Sequence, residues 1–156
     1  MDVEALVNYT LEAFGIKESI TRFERMGVAA IAAQPAMEAI LKRLMEIIGQ
    51  TFESEGRRGG GSWAQDTEEW LLRKQRLGLD LRVGHATLAL RNSVSVWGAE
   101  GQIREVGPQH VKLGSDLPYA ATQQRHRPFI KLTKSDKTEM RNIVRTWLIN
   151  AWRTAV

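Results

Sequence analysis

The chain has 156 residues, of which 43% are hydrophobic and 26% are charged, the proportions of a soluble globular protein. Its net charge of +4 is mildly basic, and the absence of cysteine excludes disulfides and thiolate metal sites. The length predicts one domain over 1–156. Because no apolar run is long enough to cross a membrane and Met1 to Glu4 lack the layout of a signal peptide, we expect the chain to stay in the cytoplasm.

The first part of the chain has helical periodicity. Apolar residues at helical spacing predict a helix over 3–14, and good helix formers continue the pattern over 16–33. Pro35 suits the first turn of the next helix, because a residue there needs no N–H donor. The apolar stripe of that helix is Met37, Ile40, Leu41, Leu44, Ile47 and Ile48. We therefore predict a helical region over 1–55, with 3–14 as a candidate N-terminal arm.

A segment rich in glycine and arginine follows the helical region. Its composition predicts a flexible loop over 56–62. Glycines with basic residues can wrap a phosphate, but the Walker pattern needs a preceding strand and a closing Lys-Ser or Lys-Thr pair. Here a predicted helix precedes the loop and Trp63 follows it, so phosphate binding is not predicted. Arg57 and Arg58 are candidates for contact with a charged partner.

A short helix is predicted after this loop. Asp66 or Thr67 can cap it, with Glu69 three residues after Asp66 in the position of a capping box. The helix is predicted to run over 68–76 and to end at Gly78, since glycine readily adopts the conformation that closes a helix.

An alternating pattern replaces the helical one after Gly84. Period-two alternation predicts a strand over 90–96, and the glycines within 98–101 predict a hairpin turn after it. The segments that follow are a turn with one helical turn at 116–124 and three further strands at 103–106, 110–113 and 129–132.

The last segment predicts a long amphipathic helix capped by Ser135 or Asp136. Its apolar face is Met140, Ile143, Val144, Trp147, Leu148 and Ala151. An antiparallel sheet usually buries one side under helices, so we expect this face against the sheet, with Trp147 in the core. Replacing Trp147 by alanine is then expected to destabilise the domain severely. The predicted fold class is α+β, with a helical N-terminal half and a small antiparallel sheet over about 90–132, packed by helices that include the long C-terminal one.

The residues that invite chemistry do not form a catalytic pattern. His85, His110 and His126 are separated by long gaps, so we interpret them as surface or partly buried structural residues rather than metal ligands. Ser93 is predicted in the middle of a strand, without the nucleophile elbow of an activated serine. We therefore expect no enzymatic activity, no cofactor and no bound metal.

The tryptophans allow two interpretations. Beside basic loops they can act as stacking platforms for single-stranded nucleic acid, which makes a nucleic-acid-binding module the alternative function. The sequence pattern instead places Trp70 and Trp147 in the core. Trp97, at the predicted hairpin tip, and Trp152, near the C-terminus, are predicted to be partly exposed. Because tryptophan is enriched at protein interfaces, these two are candidate contact residues.

The second part of the chain carries an ordered set of short motifs. In order, these are Trp63, Thr67, Lys74, L-R-N-S at 90–93, G-S-D-L-P-Y-A at 114–120 and R-P-F at 127–129. The set resembles the virion-morphogenesis or tail-completion proteins of tailed bacteriophages, from about Phe52 to the C-terminal helix. Two departures from the family are the short connection over 123–127 and His85-Ala86, where a Thr-Gly pair is common.

The resemblance implies a structural, non-enzymatic phage assembly protein with 63–156 as its α+β core. Such a protein belongs to the neck, as a tail-completion or head–tail joining component between the capsid connector and the tail tube. The expected partners are copies of the chain in a cyclic head-to-tail ring, expected to be hexameric, neighbouring connector, tail-tube or tail-terminator proteins, and the genomic DNA that passes the neck. The expected location is the virion neck or tail end, after assembly in the host cytoplasm, with no membrane partner.

The candidate contact residues lie in predicted loops or at predicted exposed aromatic positions. Arg125 and Arg127 belong to a short polar connection that we expect to be exposed. Removing both charges is therefore expected to leave folding intact and to impair assembly. The full set is Arg57, Arg58, Trp97, Tyr119, Arg125, Arg127 and Trp152.

Overall fold

The computed structural model describes residues 5–10, 33–108 and 110–155, with the backbone alone for 5–10 and 155. The elements in these residues are β1 (Ala5–Thr10), α1 (Gln34–Glu53), α2 (Glu68–Leu77), α3 (Ala89–Ser95), β2 (Gln102–Val106), β3 (His110–Ser115), α4 (Ala120–His126) and α5 (Lys134–Ala155). The strands form one sheet in the order β1-β3-β2. This confirms the predicted α+β class with a long C-terminal helix. In the described part of the chain, no helix combines the length and apolarity that a membrane span requires.

The described residues form two compact units, each assembled from separate stretches of the chain. Among the described residues, unit 1 contains 5–7, 45–103 and 113–131, and unit 2 contains 8–10, 33–44, 104–108, 110–112 and 132–155. Strand β1, helix α1 and the hairpin of β2 and β3 each contribute residues to both units. The prediction of a single domain over 1–156 stays a prediction.

Unit 1 is built around an aromatic cluster at the end of α1. The centroid of the Phe52 ring lies 5.2 Å from that of Trp63, edge to face, and 5.3 Å from that of Phe129. Aromatic rings prefer such offset and edge contacts because of their quadrupoles. Other buried apolar residues of this core are Ile47, Ile48, Val83, Leu90, Val94, Leu113 and Ala120.

Unit 2 contains the first part of α1 together with α5. Arg43 of α1 forms a bidentate ion pair with Glu139 of α5, with the Arg43 Nε 2.9 Å from Oε1 and its Nη2 3.2 Å from Oε2. The buried apolar residues of the two helices are Ala36, Met37, Ile40, Leu41 and Leu44 on α1 and Met140, Val144 and Leu148 on α5. Their spacing of three and four residues gives each helix one apolar face.

The helices predicted at α1, α2 and α5 are confirmed, and the structure identifies the residues at their ends. All six residues of the predicted α1 stripe are buried. Helix α2 is capped by Thr67, whose Oγ1 accepts a hydrogen bond from the Trp70 N–H, and it ends at Gly78. Helix α5 begins after Thr133, which exchanges hydrogen bonds of 3.1 and 2.8 Å with Asp136 in a capping box. The predicted cap at Ser135 or Asp136 is therefore wrong, because Thr133 caps the helix and Asp136 is its capping-box partner.

Two predicted strands are wrong. Residues 90–96 fall mostly in α3, because Leu90, Ser93 and Val94 are all buried at helical spacing. The following turn therefore joins a helix to β2 instead of closing a hairpin. Residues 129–132 form no strand. The side-chain oxygen of Gln124 accepts hydrogen bonds from the N–H groups of Phe129 and Ile130, so these groups do not pair with a strand. The predicted strands that became β2 and β3 are confirmed.

The N-terminal helix predictions have different outcomes. The predicted helix over 3–14 is wrong at 5–10, where the chain forms β1 and pairs with the central strand of the sheet. The candidate arm is therefore not the amphipathic helix that the spacing indicated. The rest of 3–14, and the helix predicted over 16–33 apart from its last residue, lie outside the described residues.

The predicted position of Trp147 in the core is also wrong. The buried face of α5 is formed by Met140, Val144 and Leu148, whereas Ile143 and Trp147 on the adjoining face are half-buried. Ile143 lies three residues after Met140, and Trp147 lies three residues after Val144. Three steps of roughly 100° place each of them about 60° away around the helix. Truncating a half-buried tryptophan lowers the free energy of unfolding less than truncating a buried one.

We therefore expect Met140→Ala to destabilise the protein more than Trp147→Ala, although tryptophan is the larger side chain. Truncating the buried Met140 is expected to cost about 2–5 kcal/mol in unfolding free energy, and Trp147→Ala less than this. Urea denaturation of the two variants, followed by helix circular dichroism, measures the order. A larger loss of unfolding free energy in Trp147→Ala than in Met140→Ala would show that Trp147 belongs to the core.

Candidate functional site

The main polar feature of unit 1 is an ionic cluster formed by Asp66, Lys74 and Arg127. The Nζ of Lys74 lies 2.6 Å from Oδ2 of Asp66, and Nη2 of Arg127 lies 2.8 Å from Oδ1. The Asp66 and Lys74 side chains are each 1% exposed, and that of Arg127 is 19% exposed. Buried charges persist only when they are paired and hydrogen-bonded. Lys74 also donates to the Arg82 carbonyl and Arg127 to the Ala64 carbonyl.

The sequence positions this cluster through the cap of α2. Thr67 fixes the start of the helix, so Asp66 stands immediately before it. Lys74 lies at i+4 from the half-buried Trp70, and residues four apart share one helix face. The ammonium of Lys74 therefore points back toward the carboxylate at the helix start.

The R-P-F segment is held by four different contacts. Beyond the ion pair of Arg127, the Pro128 carbonyl accepts a 3.1 Å hydrogen bond from Nε1 of Trp63. Phe129 completes the aromatic cluster around Phe52. Gln124 accepts from the N–H groups of residues 129 and 130 and donates to the carbonyl of residue 130. A side-chain amide thus takes the place of a neighbouring strand.

Two motif serines connect α3 to the end of β3. Ser93 and Ser115 are both fully buried, with their hydroxyl oxygens 2.8 Å apart. The Ser93 hydroxyl also lies 2.7 Å from the Leu90 carbonyl. A buried hydroxyl needs a hydrogen-bond partner, and each serine supplies one to the other. Ser93 is therefore a packing residue of unit 1.

The histidines are placed separately. His85 is buried, with Nδ1 3.0 Å from the Val83 carbonyl and Nε2 3.9 Å from Oε1 of Glu53. Since a carbonyl only accepts, Nδ1 carries the hydrogen, and Nε2 lacks a hydrogen-bond partner. His110 lies 2.7 Å from Glu105, and His126 is exposed at the end of α4. Across the described ranges, no group of three or more acidic or histidine side chains has a metal-binding arrangement.

A pocket of about 80 Å³ opens beside the ionic cluster. Its lining includes Lys74 and Arg127, together with Gln123 and the exposed Tyr119. Trp70, Ala86 and Leu90 contribute apolar surface, and Gly84, His85 and Thr87 complete the lining. The pocket lies within unit 1.

A second ionic group lies on the surface of unit 1. Arg82 donates to Asp80 at 2.7 Å and to Glu53 at 2.7 Å, and Arg91 also lies 2.7 Å from Glu53. The hydrogen bonds from Arg82 hold the pKa of Asp80 well below its ordinary value. Partial burial acts to raise the pKa of Glu53, but Arg91 and Arg82 together lower it. Both carboxylates are therefore stabilised in the charged form.

The lowered pKa of Asp80 predicts a pH dependence of stability. A carboxyl whose pKa is lower in the folded state stabilises the fold above its unfolded pKa of 3.8, and this contribution declines as the pH falls below that value. We expect Asp80→Asn to lower the melting temperature at pH 7 and the difference from wild type to shrink between about pH 5 and pH 2. Circular dichroism melting curves measure it, with Glu100→Gln, an exposed carboxyl, as control. A difference that stays constant over this range would contradict the assignment.

The predicted aromatic contact residues are exposed. Trp97 is 51% exposed, Tyr119 43% and Trp152 41%. Trp97 follows α3 in a loop organised by Gln102, whose side-chain amide bonds the backbone of residues 93, 96 and 98. Trp97 and Tyr119 belong to unit 1, and Trp152, on α5, belongs to unit 2. The predicted exposure of Trp97 and Trp152 is confirmed.

The predicted basic contact residues divide into exposed and structural ones. Arg57 is exposed, with a 3.7 Å ion pair to Glu55, and Arg125 is exposed in the last turn of α4. Arg58 is half-buried and donates to Gln50 at 3.2 Å. The prediction for Arg127 is wrong, because it belongs to the ionic cluster and not to an exposed connection. Removing its charge is therefore expected to disturb the fold.

Sequence reasoning missed the roles of Asp66 and Gln124. The sequence pattern predicts Asp66 only as a helix cap, whereas in the structure it neutralises two basic side chains. Its main signal is an acidic residue next to a cap, with Lys74 two turns along the helix. Gln124 stands at the end of the P-Y-A-x-x-x-Q pattern that precedes the R-P-F segment, a signal that was present in the sequence.

The chain matches no protein-family model, no curated protein and no solved structure.

Proposed function

We propose that this protein is a structural assembly component of a tailed bacteriophage, a tail-completion or neck protein that joins the capsid connector to the tail tube. In this proposal it acts by binding, as one subunit of a cyclic ring in contact with the rings above and below. No cofactor takes part. The proposal starts from the ordered motifs of the second part of the chain.

One observation carries the proposal: the motifs hold one another in a single unit. L-R-N-S meets G-S-D-L-P-Y-A through Ser93 and Ser115, and R-P-F meets the Trp63 and Lys74 segment through Pro128 and Arg127. Residues separated by 61 and 65 positions in the chain are thereby joined. A chance set of short motifs has no reason to form mutual contacts, so the arrangement supports a shared scaffold with the tail-completion proteins.

The exposed aromatic residues supply candidate surfaces for assembly. A head-to-tail ring needs two different surfaces on each subunit. Unit 1 exposes Trp97 and Tyr119, and unit 2 exposes Trp152. Exposed tryptophans are frequent anchors of protein interfaces. The two units thus offer two chemically suitable surfaces.

The nucleic-acid-binding alternative has weaker support. Binding to phosphates needs basic side chains gathered on one accessible face. Among the described residues, Arg82, Arg91 and Arg127 are paired with carboxylates in unit 1. A salt titration of binding to single-stranded DNA tests this alternative, since phosphate contacts give a steep loss of affinity with salt.

The test is complementation of a tailed phage that lacks this gene. We expect wild-type protein to restore infectious particles, and Trp97→Ala and Trp152→Ala to fold normally but restore few. Each lost interface anchor typically weakens a contact by about 2 kcal/mol or more. Electron microscopy should then show full heads and separate tails. Leu77→Ala, at another exposed apolar residue, is the matched control.

Two outcomes separate the parts of this proposal. Normal heads joined to tails in the absence of the gene would overturn the proposed function. Normal titres with both tryptophan variants, in a phage that does need the gene, would instead overturn the assignment of these two residues to the interface.

A further inference from the structure

The ionic cluster carries one more positive charge than negative. Lys74 and Arg127 contribute two positive charges, and Asp66 is the carboxylate that both of them contact. Nε and Nη2 of Arg127 are occupied by Ala64 and Asp66, and Nη1 donates to no described residue. The ammonium of Lys74 has three hydrogens, of which two are directed to Asp66 and the Arg82 carbonyl. Donor capacity therefore remains on both cations.

The pocket of about 80 Å³ places this excess charge beside a small accessible space. Its wall contains the two cations, and no aspartate or glutamate of the described residues lines it. Tyr119, Thr87 and Gln123 add a phenol, a hydroxyl and an amide to the wall. An anion in the pocket would receive hydrogen bonds from charged donors, which are the stronger kind.

The remaining wall decides which anion fits. Gly84 and His85 also line the pocket. Trp70, Ala86 and Leu90 are apolar apart from the indole N–H, so a group held here also buries hydrocarbon. Phosphate and sulfate are polar on every side and gain nothing from such a surface. A carboxylate on a short methylene stem suits both kinds of lining, because its charge can pair with Lys74 and Arg127 and its stem can contact the apolar surface.

We propose that this pocket binds a carboxylate carried on a short aliphatic stem, as in an acidic side chain of a protein partner or a small organic acid. This inference does not depend on the proposed function. The carboxylate neutralises the excess positive charge of the ionic cluster, and a neutral amide of the same shape does not.

The experiment is a titration of the full chain followed by ¹H–¹⁵N NMR at constant ionic strength. Propionate is the probe, with propionamide as its neutral isostere and inorganic phosphate as the polar anion. The signals are the indole N–H of Trp70, assigned with Trp70→Phe, and the Nε–H of Arg127. We expect saturable shifts at millimolar propionate and none that saturate with the other two. Equal responses to propionamide, or tighter binding of phosphate, would overturn the proposal.

Two variants test whether the response comes from the pocket. Thr87→Trp fills the mouth at an exposed residue, and Gln123→Glu places a competing carboxylate at the wall. Each is expected to weaken propionate binding at least tenfold, and the second serves if the first does not fold. Unchanged shifts in a folded variant would place the response elsewhere and overturn the assignment.

The source of the carboxylate is decided by a pair of blocked peptides. Acetyl-Gly-Glu-Gly-amide carries the acid on a protein backbone, and acetyl-Gly-Gln-Gly-amide is its neutral control. Binding of the glutamate peptide as tight as that of propionate supports an acidic side chain of a partner protein. Binding of propionate alone supports a small organic acid. If neither propionate nor the glutamate peptide binds, the proposal is overturned.

Discussion

Replacing Asp66 by alanine is expected to lower the unfolding free energy by about 3–5 kcal/mol, the usual consequence of breaking a buried ion pair from one side. The carboxylate is 1% exposed and contacts both Lys74 and Arg127. Without it, two cations stay in a region that water reaches poorly, and each retains only backbone carbonyl acceptors. The loss should appear as a lower urea midpoint, measured by circular dichroism and tryptophan fluorescence.

Asp80→Ala is the matched control for this prediction. Asp80 is also held by an arginine, with Nη2 of Arg82 at 2.7 Å, but that arginine is 45% exposed. Exposed ion pairs contribute up to about 1 kcal/mol, so the control should shift the midpoint much less. Adding Lys74→Met to Asp66→Ala should recover part of the stability, because it removes one of the uncompensated charges. Equal losses for Asp66→Ala and Asp80→Ala would show that the cluster is solvated.

Local periodicity predicted the elements whose packing agrees with it. Helix α1 has its apolar residues on one face and buries them. Between β2 and β3, the Gly107 N–H donates a hydrogen bond to the His110 carbonyl. The sequence of α3 predicts a strand because Leu90 and Val94 satisfy a period of two as well as a spacing of four. The burial of Ser93 between them decides for the helix, and a polar residue gives no apolar signal.

Pairing between distant segments explains the remaining errors. β1 is a strand through its partnership with β3, more than a hundred residues away in the chain, and strand preference depends strongly on such context. Local sequence predicts an exposed Arg127 because its partner Asp66 lies 61 residues earlier. The aromatic contact residues were found from sequence because a tryptophan beside a turn, or near a chain end, has few local neighbours to cover it.

The loop after α1 provides the second large effect. Gly56 has a φ of +82°, and a Cβ atom there would overlap the indole ring of Trp63. That ring is poorly placed to move, because its Nε1 donates a hydrogen bond to the Pro128 carbonyl and the ring packs edge to face with Phe52. Overpacking typically costs about 1–3 kcal/mol, and the left-handed backbone adds roughly 1–2 kcal/mol for a residue with a side chain.

We therefore expect Gly56→Ala to lower the unfolding free energy by about 2–5 kcal/mol, the sum of the overpacking and backbone effects. Gly60→Ala separates the two, because Gly60 has a nearly equal φ of +84° and no atom within 4 Å of the added Cβ. It should show the backbone effect alone, about 1–2 kcal/mol. Urea denaturation gives both losses, and the indole N–H signal of Trp63 should shift strongly only in Gly56→Ala. If the two variants lose the same stability and leave that signal in place, Trp63 does not pack on Gly56, and the loop is not anchored to the aromatic cluster of unit 1.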